Sequence, residues 1–260
     1  MPIQNNTKKT PHFREEMSKY VILHHNVKII QRIAKSLTQV SEVENKNYTV
    51  LKGNYKGKEI TLIATGMGAG NTAIVVDQTI SQGAQYLFKL GTFGALQEHI
   101  KIGDIYLPQG AIRSEGLTDA YAPMYFPAVP DMELYLKFLQ KAKELEIETK
   151  NEGIIHSVNI YTPYYNGTFN ELKYSPEKYK SLGAIGVEME TSSAFICSSV
   201  KKAKCIAVLI CNREWETQKA YKEGKQANWD KHQEEQKKDQ ATQDAIKVIL
   251  ETITELDCHH

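Results

Sequence analysis

Gly186-Val187-Glu188-Met189-Glu190-Thr191 sets two carboxylates around a methionine, where an apolar run over 184–189 gives way to helical spacing over 191–200. In an extended chain, residues two apart point to the same side, so Glu188 and Glu190 can face one pocket with Met189 beside them. A ribose ring suits such a pocket. A carboxylate accepts hydrogen bonds from both secondary hydroxyls, and such charge-assisted bonds are about twice as strong as neutral ones. A thioether offers soft apolar contact to the carbon face of the sugar, and the negative charge favours an oxocarbenium-like transition state. The plainer reading of the six residues alone is an acidic helix start. What surrounds them decides between the two.

Outward from this strand–helix junction, the same alternation recurs. Apolar strand patterns over 20–23, 48–51, 59–64, 86–90, 104–107, 153–158 and 205–211 are interleaved with helical spacing over 27–37, 71–80, 132–145 and 244–256. Lys56-Gly57 closes a hairpin between the second and third of these strands, and Asn71-Thr72 is placed to cap a helix. Strands alternating with helices predict one α/β domain with helices on both faces of the sheet, spanning 1–260. The segment 214–243, rich in Lys, Glu and Gln, reads as a solvated helix or polar flap.

Composition excludes several classes. At 260 residues and 41% hydrophobic, the chain can bury a substantial core, and its net charge of +1 with scattered lysines gives no basic stripe for nucleic acid. No apolar run approaches a membrane span and no leader pattern opens the chain, so a cytoplasmic protein is expected. Four cysteines without paired spacing read as reduced thiols, and eight histidines without an HExxH pair predict no catalytic metal. Arginine is scarce, only Arg14, Arg32, Arg113 and Arg213 standing beside twenty-eight lysines.

Two glycine-rich stretches follow predicted strands. Thr65-Gly66-Met67-Gly68-Ala69-Gly70 opens a helix and lets backbone N–H groups approach an anion, but it lacks the dinucleotide spacing GxGxxG. Lys89-Leu90-Gly91-Thr92-Phe93-Gly94 repeats the arrangement, with Lys89 and Thr92 able to offer a charge and a hydroxyl to one phosphate. A tight turn with an exposed lysine explains this second stretch equally well.

Taken in order, GMG, GTFGALQEHIKIGD, YAPMYFPAVPD, GVEMET and CNRE resemble the nucleoside phosphorylase family, the uridine phosphorylases most closely. The stretch Thr10-Pro11-His12 followed by Glu16-Met17 is more similar to the hexameric purine nucleoside phosphorylases. The resemblance implies a three-layer α/β/α sandwich around a mixed, partly barrel-like sheet. It also implies phosphorolysis of a ribonucleoside, uridine first, with inorganic phosphate as co-substrate and no cofactor. It implies a homo-oligomer, a hexamer built from dimers, in which residues 1–18 form an arm reaching a neighbouring subunit.

Carried over by position, Glu190 would bind the ribose hydroxyls with Glu188 beside it, Met189 and Met67 would lie against the sugar, and His12 would reach its 5′-hydroxyl. Lys89, Thr92 and Lys46 would hold phosphate. Tyr161 would stack on the base, and Arg213 would lie at the base edge and assist catalysis. The pattern breaks in two places. Where the family has a Pro-Gly-Asp-Pro phosphate loop and then an arginine, this chain has His24-His25-Asn26-Val27-Lys28-Ile29, which leaves His25 as a phosphate ligand and puts Ile29 in the arginine's place. Tyr165 and Gly167 replace the glutamine and arginine that grip a pyrimidine, leaving Tyr165 and Asn166 to meet the base. A nucleosidase and a nucleoside-binding relative with little catalysis are the alternatives these breaks leave open.

Overall fold

The computed structural model describes residues 16–159, 175–222 and 231–256. Among them the strands are β1 (Tyr20–His24), β2 (Thr38–Val43), β3 (Thr49–Tyr55), β4 (Lys58–Ala64), β5 (Tyr86–Ala95), β6 (Ile105–Tyr106), β7 (Gly110–Ser114), β8 (Ile154–Val158), β9 (Gly186–Glu188) and β10 (Lys204–Arg213). The helices are α1 (Val27–Ala34), α2 (Ala69–Ser81), α3 (Met132–Glu144), α4 (Pro176–Ser181), α5 (Thr191–Val200), α6 (Trp215–Lys222) and α7 (Lys231–Glu255).

The strands form one mixed sheet in the order β2-β3-β4-β1-β5-β9-β8-β7, with β10 on β5 and β6 on β10. Strict alternation of buried side chains divides its two faces. Val21, Leu23, Leu87, Cys205, Ala207 and Leu209 pack with Val75 and Val76 of α2 and Ala194 to Cys197 of α5. Tyr20, Ile22, Phe88, Ile206 and Val208 pack instead with Ile30 and Ile33 of α1, Phe138 of α3 and Ile249 of α7. This is the three-layer α/β/α arrangement expected from the resemblance.

β5 is the organising strand. On one edge β10 runs parallel to it from Tyr86 to Gly94. Its other edge is shared: β1 pairs in parallel up to Leu23↔Lys89, and β9 pairs antiparallel from Gly94↔Val187. Residues 90–93 lie between the two, where the chains of β1 and β9 leave the sheet. Such a switch point is where open α/β sheets bind ligands.

Several local expectations change. β5 continues through the glycines to Ala95, so Lys89 lies inside a strand and is buried rather than exposed on a turn. A Cβ at Gly91 would come within 2.6 Å of Lys89 Nζ, so the glycine makes room for the lysine to lie along the strand. Helix α2 begins at Ala69 with Gly68 at its N-cap, and the Asn71 side chain donates to the Met67 carbonyl at 2.9 Å instead of capping the helix. α1 stops at Ala34 rather than reaching 37. The edge strand β2 gave no apolar signal because five of its six residues are exposed. The polar segment from 231 onward is the exposed first part of α7, continuous with its apolar second half.

Candidate active site

Three buried charges meet at the switch point. Lys89 Nζ lies 2.6 Å from Glu188 Oε2 and 3.4 Å from Glu190 Oε2, and the three side chains are 5, 1 and 8% exposed. Each carboxylate also closes a helix N-terminus. Glu188 accepts from the backbone N–H of Glu190 at 2.9 Å and of Thr191 at 2.9 and 3.0 Å, at the start of α5. Glu190 Oε1 accepts from the N–H of Gly68, the α2 N-cap, at 2.8 Å. Carboxylates at helix N-termini are favoured because unpaired N–H groups and the helix dipole put partial positive charge there. The glycine-rich loop therefore does hold an anion, and that anion is the protein's own Glu190.

Burial opposes the charge on Glu188, but Lys89, Ser157 and the Glu190 N–H outweigh it and hold the carboxyl below its ordinary range. Burial likewise works against the Lys89 ammonium, and its two carboxylates more than reverse that, raising its pKa. With about half a positive charge from each helix end, two carboxylates and one ammonium come close to balance.

His24 and His25 complete the rim. Their rings stack at 4.4 Å, and the buried His24 accepts at Nδ1 from the Asn26 N–H at 2.8 Å, which leaves its proton on Nε2. Burial, then His25 and Lys89, push the His24 pKa well down. His25 is lowered by burial and by Lys89, and partly supported by Glu190. Both rings are therefore neutral near pH 7. Asn26 bonds the Lys28 N–H through Oδ1 at 2.9 Å and starts α1, whose Ile29 packs against the apolar cluster on the α1/α3/α7 face. Ile29 is thus half-buried at the margin of that cluster.

The other predicted residues divide. Thr92 is half-buried in the gap of β5, and half-buried Arg213 ends β10 opposite Gly94. Met67 is exposed on the loop before α2, two residues from Ala69. Met189 turns the other way from its two glutamates and packs with Leu96, Val158 and Trp215. Lys46 is exposed between β2 and β3, and the following strand pairs Thr49 with Ala64, at the sheet end where the glycine loop begins. His12, Tyr161, Tyr165 and Asn166 lie outside the described residues.

The residues that sequence reasoning missed are hydroxyls. Ser157 of β8 donates to Glu188 Oε1 at 2.5 Å and accepts from the Ser192 N–H at 3.0 Å. A polar pair, His156-Ser157, inside the buried strand Ile154–Val158 was the available signal. A cleft of about 570 Å3 elsewhere, lined in part by Asp104, Glu146, Lys150 and Lys247, shares no residue with the Lys89 cluster. It carries mixed charges, Lys150 being paired with Asp104 at 2.9 Å, and its lining residues include no helix N-terminus of the kind that meets at the switch point.

Comparison with known proteins gives the family and the fold. The sequence profile of the phosphorylase superfamily matches residues 19–254. A uridine phosphorylase of Treponema pallidum is 28% identical over 199 residues, covering 75% of this chain and 77% of its own. A guanosine phosphorylase of Halorubrum lacusprofundi is 27% identical over 229 residues, covering 87% of this chain and 89% of its own. The crystal structure of a uridine phosphorylase from Vibrio fischeri superposes with a TM-score of 0.81 at 24% identity, over 97% of this chain and all of that one, and shares its fold.

Proposed function

The chain belongs to the phosphorylase superfamily, as a pentosyltransferase of the nucleoside phosphorylase family, and on that premise we propose that it cleaves uridine with inorganic phosphate to uracil and ribose 1-phosphate. The observation that carries this reading is Glu190. Its carboxylate is held by Gly68 N–H and Lys89 beside the open stretch of β5. In the proposed reaction the ribose hydroxyls hydrogen-bond to that carboxylate. As the glycosidic bond breaks, its electron pair leaves with the base, and the negative charge beside the sugar stabilises the cation forming at C1′. A phosphate oxygen then bonds to C1′. Met67, exposed on the same loop, closes over the sugar, with Glu188 as the group that aims Lys89.

Phosphate takes its place at Thr92, Lys89 and His25. Because Lys89 is already shared between two carboxylates and the half-buried Ile29 packs against the apolar cluster beneath α1, the subsite binds its anion weakly, with Lys46 of a neighbouring subunit as the added cation. Tyr161, Tyr165, Asn166 and Arg213 receive the base, and His12 the 5′-hydroxyl of a neighbour's substrate. This reading entails a homo-oligomer, a hexamer built from dimers, acting in the cytoplasm without a metal or organic cofactor.

Guanosine is the second candidate substrate, favoured by the longer match to a guanosine phosphorylase. The test is turnover of uridine, guanosine and inosine with and without phosphate. Uracil released only with phosphate supports the proposal, and purine base released preferentially shifts the substrate to guanosine or inosine. Base released without phosphate, or binding without turnover, refutes phosphorolysis.

A further inference from the structure

A second buried carboxylate system stands behind Glu188. Ser192 Oγ, in the first turn of α5, donates to Glu115 Oε1 at 2.9 Å. Thr118 Oγ1 donates to the same oxygen, and Arg113 Nε donates to Thr118 Oγ1 at 3.1 Å. Arg113, itself buried, also donates to the carbonyls of Ala122, Pro123 and Phe126. Ser192 is thus gripped twice, by its N–H on Ser157 and by its hydroxyl on Glu115. Glu115 follows β7, two strands beyond β9, and makes no bond to Lys89, Glu188 or Glu190 among the described residues.

Glu115 is 5% exposed, and its Oε2 has no hydrogen-bond partner among the described residues. A buried carboxylate with one idle oxygen is a poor stabiliser, so its use lies in what Oε1 holds. That is the turn which starts immediately after Glu190, the N-cap residue of α5. We propose that Glu115 is a positioning residue: through Ser192 it fixes the first turn of α5, and so the direction in which Glu190 presents its carboxylate to the Gly68 N–H and the open side of β5. The proposal rests on the reading of Glu190 as the sugar-binding carboxylate. Groups held by a rigid surrounding layer lose function when displaced by less than an ångström.

The Gly68 amide is the reporter, because it is bonded to Glu190 Oε1 and is remote in sequence from Glu115. Hydrogen exchange is followed in full-length wild type, Glu115→Ala, Glu115→Gln and Ser192→Ala, alongside kcat and KM with uridine and phosphate. In Glu115→Ala and Ser192→Ala, amides of the first turn of α5 and of the 65–70 loop should exchange about tenfold faster, while β10 and α7 stay unchanged. Their kcat should fall about tenfold with little change in phosphate KM. Glu115→Gln, whose Oε1 still accepts both hydroxyls, should restore exchange and kcat to within about threefold. Faster exchange in α5 without any change in the 65–70 loop overturns the proposal, as does unchanged kcat in an active enzyme. If wild type turns over no nucleoside, the functional reading fails, and exchange in the 65–70 loop alone decides the positioning.

Discussion

Removing the ammonium from the Lys89 cluster tests the electrostatic account most directly. In Lys89→Met the chain keeps a side chain of similar length, but Glu188 and Glu190 lose the cation 2.6 and 3.4 Å away. At an effective dielectric of about 20, those separations correspond to roughly 6 and 5 kcal/mol of attraction before desolvation is subtracted. Breaking a buried pair by deleting one partner costs a net of about 3–5 kcal/mol. With a urea slope of about 3 kcal/mol per molar, the unfolding midpoint should fall by about 1–1.7 M at pH 8. The deficit should depend on pH in a defined sense. In wild type the Glu188 pKa is held below its unfolded value, so its contribution is present above about pH 4.3 and lost as the pH falls. Without Lys89, burial dominates and raises that pKa. The folded variant then binds the proton more tightly than the unfolded chain, and its stability is lost as the pH rises through the new value. The gap between the two proteins must therefore widen from pH 5 to pH 8, and adding Glu188→Gln should recover part of it. Urea midpoints at one fixed protein concentration measure this, since assembly also stabilises. A deficit under about 1 kcal/mol, or one equal at pH 5 and pH 8, would refute the buried-cluster reasoning.

Three further outcomes follow from the same geometry. Glu190→Ala should lower kcat by about 10²–10³ while circular dichroism stays native, and near-native turnover would remove this carboxylate from the reaction. Ile29→Arg should leave the phosphate requirement unchanged and lower Tm by about 2–4 °C, because Ile29 packs on the core side of α1; a clear drop in phosphate KM would show that the side chain reaches the site after all. Gly186→Ala should cost about 3 kcal/mol or more, measured by thermal melting, since a Cβ there would lie 2.2 Å from the Phe93 ring and 2.6 Å from the Gly94 carbonyl oxygen.

Periodicity alone carried the layered α/β plan. β1 and β10 alternate two apolar faces in sequence because each strand is covered by helices on both sides, and the burial of apolar surface is what chiefly drives folding. The local chemistry of the Glu188–Glu190 pair and of the glycine-rich loops was legible for a similar reason, since spacing within a strand or turn fixes which side chains share a side. Convergence was not legible. Lys89 meets Glu188 across 99 residues, and Ser192 meets Glu115 across 77. No local spacing encodes those meetings, which depend on β1 and β9 sharing one edge of β5. The glycine loop looked like an anion site for a ligand, and the tertiary structure filled its N–H with Glu190. Ile29 could be aligned with a cation's position, yet only the angle at which α1 packs decided that it faces apolar neighbours. Apolar pattern is a property of each segment, so the sequence by itself determined the layers. The partner of a buried charge is a property of strand order and register, and only the folded chain decided it.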